Sequence, residues 1–195
     1  MFDENVLLPR NVIEKRHHIF KTLATSLSYD YFGNQVWEDL QQDAWLTTSI
    51  RERIGDLYKR NQCGSSFYRY SIAKRMKQFY RLVKANTERF SLSSKYVPHF
   101  SEMQYGEDIY LLKCQLVMHI VDQILGETHF FNVSRELFRK SKPTLSLTLF
   151  KRLLRDIGIK FFDIQKNWIE STSCPKIACN FTFNRKNNSV DIVLE

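Results

Sequence analysis

The spacing of apolar residues changes once along this chain, and that change constrains the architecture more than any other feature. Up to about residue 170, apolar side chains recur every three or four positions, the period of helices that bury one stripe. After Ser171 the period becomes two. Ile177, Cys179, Phe181 and Phe183 fall on alternate positions, as do Val190, Ile192 and Leu194. Arg185-Lys186-Asn187-Asn188 stands between the two runs and predicts a turn. The chain is therefore expected to be mainly α. Residues 1–170 form one helical domain, and residues 171–195 form a hairpin that begins another. Two strands alone are marginally stable in water.

Within the helical part, Asn11 followed by Glu14 has the pattern of a capping box. The first helix is expected to bury Phe20, Leu23, Ala24, Leu27 and Tyr31 and to stop at Gly33. A second buries Leu46, Ile50, Ile54 and Leu57. A third, after Gly64-Ser65-Ser66, buries Tyr70, Ala73, Met76, Tyr80 and Val83. Residues 86–106 are polar, turn-rich and broken by Pro98, so they read as a loop. Residues 109–125 are apolar nearly all round, as in a central buried helix. Shorter helices follow at 127–140, 145–157 and 161–170, divided by Pro143 and Gly158. Trp37, Trp45 and Trp168 are read as core anchors.

Several function classes find no signal. No run approaches the roughly 18–20 apolar residues that span a membrane, and the polar, acidic start at Met1 to Asn5 does not read as a signal peptide. Cys63, Cys114, Cys174 and Cys179 are scattered. Cys174 and Cys179 have four residues between them and no second pair, so reduced thiols are preferred to a zinc site. His17 and His18 are adjacent on a helix and point to different sides. His99 falls in a loop, His129 is ten residues past His119, and His119 reads as a core histidine. There is no Gly-rich phosphate loop and no G-x-S-x-G elbow.

Charge is the second guide. The formal net charge is +8, unevenly spread. Between Leu57 and Phe90 stand Lys59, Arg60, Arg69, Lys74, Arg75, Lys77, Arg81, Lys84 and Arg89, against Glu88 alone. Lys74, Lys77, Arg81 and Lys84 recur at three and four and share one helix face, with Arg75 off it. Such a face suits phosphate contacts with little reading of bases, or an acidic protein partner. Arg135, Arg139, Lys140, Lys142, Lys151, Arg152 and Arg155 form a second basic set.

The remaining signal is the run Thr25-Ser26-Leu27-Ser28-Tyr29-Asp30-Tyr31-Phe32-Gly33-Asn34, with Trp45-Leu46-Thr47-Thr48 on the next helix. It resembles the H-E-x-x-H helix of the M1-type (gluzincin) aminopeptidases, in which Trp-Phe-Gly-Asn follows the second His. There, two His one turn apart share a zinc ion, the Glu between them is the general base, and a third ligand is a Glu in a Trp-Leu-Asn-Glu-Gly run. By this resemblance Thr25 and Tyr29 stand at the His positions and Ser26 at the base. Eighteen residues separate Tyr29 from Thr48, which stands at the third ligand. Tyr110-Leu111-Leu112-Lys113 is similar to the family's Tyr-x-Lys-Gly segment. Aligned on Lys113, the position of the Tyr that stabilises the tetrahedral intermediate holds Leu111. All five positions hold residues unsuited to the family's chemistry.

Lys113-Cys114-Gln115-Leu116-Val117-Met118, Gln165-Lys166-Asn167-Trp168-Ile169-Glu170 and Phe181-Thr182-Phe183-Asn184-Arg185-Lys186-Asn187-Asn188 are similar to runs of the family's non-peptidase branch, the TBP-associated factors of the general transcription factor TFIID. The resemblance runs from about Asn11 to Glu195 and covers a middle slice of a far larger protein. It implies a thermolysin-like helical domain without its metal site over residues 1–170, then the opening hairpin of a β-sandwich over 171–195. It implies a nuclear, non-catalytic scaffold with no cofactor. Its partners would be other TFIID subunits and promoter DNA, and either the DNA or an acidic partner subunit would meet Lys74, Lys77, Arg81 and Lys84. The rival expectation is a divergent zinc aminopeptidase that uses other ligands.

Overall fold

The computed structural model describes residues 16–39, 41–85, 91–93, 106–141, 143–172 and 179–194. In chain order these form α1 (Arg16–Tyr31), β1 (Trp37–Glu38), α2 (Ala44–Cys63), α3 (Ser65–Ala85), α4 (Gly106–Leu125), α5 (Glu127–Lys140), β2 (Thr144–Leu145), α6 (Leu147–Asp156), α7 (Phe162–Ile164), β3 (Cys179–Asn184) and β4 (Ser189–Leu194). The described residues are mainly helical, with two small sheets. The expected cap at Asn11, the loop of residues 86–106 apart from 91–93 and the start of α4, and the strand position Ile177 lie outside the described residues. No single described helix is long and apolar enough to cross a membrane.

The centre is α4. Ile109, Leu112, Cys114, Leu116, Val117, Met118, Val121 and Leu125 are buried on it, and it packs against α2, α3 and α5. A helix apolar on most sides has to be enclosed by others. Two of its apolar residues escape: Leu111 and Ile124 are exposed. From α2 the core receives Trp45, Leu46, Ile50 and Leu57.

α1 and α2 run antiparallel, since Ser28 Oγ donates to the Arg51 carbonyl at 3.5 Å while Lys21, a turn or two back, reaches Glu52 and Asp56. Gly55 lets the helices meet closely. A Cβ there would strike the Thr25 hydroxyl and lie 3.2 Å from the Lys21 carbonyl oxygen. The apolar face expected to be buried on α1 is instead half open. Phe20, Leu23 and Ala24 are partly buried, and Leu27 and Tyr31 are exposed. Together with Tyr58 and Phe138 they line a groove between α1, α2 and α5.

On α3 only Val83 of the expected stripe packs against the core. Tyr70, Met76 and Tyr80 are exposed, as is Ala73, and the buried residues are Tyr68, Ile72 and Phe79. The true stripe runs through Arg75, whose charge hides it in the sequence. Asp56 neutralises that charge, with Arg75 Nη2 2.6 Å from Asp56 Oδ1.

β1 and β2 form a short parallel pair, Trp37 opposite Thr144 and Glu38 opposite Leu145. Only Trp45 of the three tryptophans is a fully buried anchor. Trp168 packs partly buried on the core, and Trp37, on β1, is 48% exposed. α6 starts two residues later than expected. Ser146 caps it, accepting from the Leu149 amide at 3.3 Å, while the Asp43 carboxylate accepts from the Leu147 amide at 3.0 Å. The helix expected at 161–170 begins as α7 and continues as a wider π-helix over Gln165–Glu170. The carbonyl of Ile169 there accepts from the Leu92 amide and the Ser91 hydroxyl, both at 2.9 Å.

β3 and β4 pair antiparallel with the Arg185–Asn188 turn between them. Phe181 lies opposite Ile192 and Phe183 opposite Val190. These four side chains share one face of the hairpin, and all four are more than half exposed.

Candidate functional site in the cleft of the first, second and fourth helices

Thr25 and Tyr29 sit one turn apart on α1, so they point to the same side. Thr48 comes from the N-terminal half of α2 and Leu111 from the first half of α4. These four, with Ser26, all line one cleft of about 600 Å³. The five positions singled out in the sequence therefore converge, although they come from three separated stretches. Residues that sequence reasoning missed complete the walls: Leu27, Asp30, Asn34, Arg51 and Glu52. Two of these carried a usable signal. Arg51 and Glu52 lie three and four residues after Thr48 and so share its helix face.

The polar groups are largely engaged with one another. Arg51 Nη2 donates to Thr48 Oγ1 at 3.1 Å, and its guanidinium lies 4.7 Å from the Tyr29 ring centroid. Glu52 accepts from Lys21 Nζ at 2.6 Å and from Gln115 Nε2 at 2.7 Å. Asp30 accepts from the Asn34 amide at 3.0 Å. The Thr25 hydroxyl oxygen is buried with no hydrogen-bond partner among the described residues.

Tyr110 does not line the cleft, consistent with the turn of about 100° that separates it from Leu111. Its phenol nevertheless hydrogen-bonds Thr48, and burial pushes its pKa upward. The neighbouring Cys114 thiol is pushed up to about 12, chiefly by burial, which keeps it protonated and unreactive.

This donor set does not suit zinc. Zinc takes imidazole, thiolate or carboxylate ligands. The three ligand positions offer two threonine hydroxyls and a phenol, and the base position offers a serine hydroxyl. Of the two carboxylates in the walls, Glu52 is already held by an ammonium and an amide.

Where α2, α3 and α4 meet lies a buried ionic cluster. Arg53 pairs with Asp122 and donates to the Tyr68 hydroxyl, and the Tyr68 oxygen is 2.8 Å from His119 Nδ1. His119 is thus hydrogen-bonded, as expected of a core histidine, though half-buried only. Burial first, then the charge of Arg53, pushes its pKa below the usual histidine range. His18 and His129 are exposed and separate. Among the described residues Cys63 and Cys179 form no disulfide, while Cys174 and His99 lie outside them.

Lys74, Lys77, Arg81 and Lys84 are all exposed on α3, on the side away from Tyr68, Ile72 and Phe79. Among the described residues none of them has an ion-pair partner within 4 Å. Three other cations of the stretch are engaged: Arg75 by Asp56, Arg60 by Glu127, and Lys59 over the Phe67 ring at 4.9 Å. The basic face is therefore narrower than the sequence count suggests, and Tyr70 and Tyr80 stand exposed beside it.

No protein-family model matches the chain, and no curated protein matches it.

Proposed function

We propose that the protein is a non-catalytic scaffold built on an aminopeptidase-like helical domain. In this reading it is a slice of the TBP-associated, second-largest subunit of TFIID, supporting assembly of that complex and docking to core-promoter DNA. The observation that carries the reading is the convergence of Thr25, Ser26, Tyr29, Thr48 and Leu111 on one cleft. A chance similarity at three separated stretches has no reason to fold into one place. A site vacated by loss of its ligands does, because the packing faces of the helices persist when the ligands go.

Two further features support it. The exposed apolar face of the β3–β4 hairpin suits the opening of a sandwich whose other strands come from elsewhere. The exposed cations of α3 suit contact with the phosphate backbone, a contact that positions without reading sequence. Removal of the metal ligands removes the Lewis acid and the activated water, leaving a shaped surface on which partners assemble.

The test is metal analysis of protein purified with zinc present, joined to an assay of aminoacyl-amide hydrolysis. Sub-stoichiometric zinc and no turnover are expected. Stoichiometric zinc with chelator-sensitive turnover would overturn the scaffold reading in favour of a divergent aminopeptidase.

A further inference from the structure

A second cleft, of about 770 Å³, lies between α6 and residues 159–165. Four cations line it: Lys151, Arg152, Arg155 and Lys160. One carboxylate, Asp163, accompanies them. Among the described residues, none of the four cations has a carboxylate within 4 Å. The helix explains their gathering. α6 buries Phe150, Leu153 and Leu154, which leaves Lys151, Arg152 and Arg155 for the outer side.

Beside these charges stands Phe162, 69% exposed. Its position is fixed by its neighbour. Phe161 is buried and meets Phe150 edge-to-face at 5.6 Å between ring centroids. Anchoring Phe161 in the core holds the next side chain out at the cleft wall, where it costs apolar exposure. Unpaired cations around an exposed, well-anchored aromatic ring match the requirements of a strand with accessible bases. Phosphates meet the cations, and a base stacks on the ring. A polyacidic peptide would satisfy the cations but would offer nothing to the ring. A fully paired duplex keeps its bases stacked on each other and out of reach.

We propose that this cleft binds an unpaired nucleotide in a single-stranded stretch of nucleic acid. Lys151, Arg152, Arg155 and Lys160 take the phosphates, and Phe162 takes the base. The site rests on its own geometry and does not depend on the duplex contact proposed for α3.

The test is fluorescence anisotropy with a labelled twelve-residue oligothymidylate and, separately, a twelve-base-pair duplex. Polyglutamate serves as competitor. Phe162→Ala is expected to weaken oligothymidylate binding by roughly 5- to 160-fold, the range of one stacked base, and to leave duplex affinity within about twofold. Phe162→Trp is expected to restore it. Joint Lys151→Gln and Arg155→Gln changes are expected to weaken oligothymidylate binding and flatten its salt dependence. Circular dichroism checks the fold of each variant. No oligothymidylate binding, or equal binding by the native protein and Phe162→Ala, would overturn the proposal. So would polyglutamate that displaces oligothymidylate from the native protein as readily as from Phe162→Ala, since that marks the cleft as an acidic-peptide dock. Loss of duplex binding on altering α3, with oligothymidylate binding kept, separates this site from the α3 contact.

Discussion

Thr25 on α1 packs directly on Gly55 of α2, with no room for a β-carbon between the helices. That contact holds the wall of the cleft in place. Gly55→Ala gains helix propensity of about 1 kcal/mol but overpacks the interface at the Thr25 hydroxyl and the Lys21 carbonyl. The net effect is expected to be a loss of about 1–2 kcal/mol. Adding Thr25→Ala removes the struck hydroxyl and is expected to recover most of that loss. Urea denaturation of the two variants measures it, and full stability in Gly55→Ala alone would refute the close approach.

Acid is expected to destabilise the protein through Asp56. Burial acts to raise its pKa, but the hydrogen bonds from Arg75 and the charges of Lys21, Arg75 and Arg53 outweigh burial and hold it below the usual carboxylate value of 3.8. The folded state therefore binds this proton less readily than the unfolded state. The stabilisation is present above about pH 4 and is lost as pH falls through the lowered folded pKa. Denaturation midpoints at pH 7, 4 and 3 follow the loss. Asp56→Asn is expected to be less stable at pH 7 and to show a flatter acid limb.

His119 adds a second, separate pH dependence. Its pKa lies below 6.5 in the folded state, so its contribution is present above pH 6.5 and fades as pH falls towards the folded value. An NMR titration of the ring is expected to show a midpoint below that of a free histidine. His119→Gln is expected to remove this step while leaving the one due to Asp56. A midpoint at or above 6.5 would contradict the placement of His119 beside Arg53.

Arg53 and Asp122 are both almost fully buried and paired with each other. Arg53→Met alone leaves a carboxylate uncompensated in the core and is expected to cost about 3–5 kcal/mol. Joint Arg53→Met and Asp122→Leu changes remove both charges and are expected to cost well under the sum of the single changes. A double-mutant cycle by chemical denaturation reads the difference, and strict additivity would deny the pairing.

Changing Lys74, Lys77, Arg81 and Lys84 together to Gln tests the α3 face. Each lost phosphate contact reduces the salt slope of duplex binding by about 0.9, so a reduction of roughly 3–4 is expected if all four touch phosphates. Unchanged affinity and slope would remove this face from DNA binding and leave it to an acidic protein partner.

Much of the fold was legible in the sequence because it rests on local periodicity. The helices around Leu46 and Ile50 and around Leu112 and Val117 follow from apolar spacing alone, and the hairpin follows from the alternation of Phe181 and Phe183. Periodicity failed on α3, where two stripes compete. The one with Tyr70, Met76 and Tyr80 looks apolar, while the buried one contains Arg75. Only the carboxylate of Asp56, nineteen residues away in sequence, lets that arginine lie largely covered on the packed side of the helix. Trp37 was misplaced for a similar reason. Its size suggests an anchor, but its pairing with Thr144 in β1–β2 depends on a strand more than a hundred residues away.

The candidate site divides in the same way. The chemistry available at Thr25, Ser26, Tyr29, Thr48 and Leu111 was legible before any fold, because side-chain type is independent of fold. The one-turn spacing of Thr25 and Tyr29 was legible as well. The fold brings these residues together, adds Arg51 and Glu52 to them, and carries Tyr110 to Thr48. It alone decided which cations remain free for a partner. The physical reason is that helix faces are set by neighbours in sequence, whereas burial and charge pairing are set by neighbours in space.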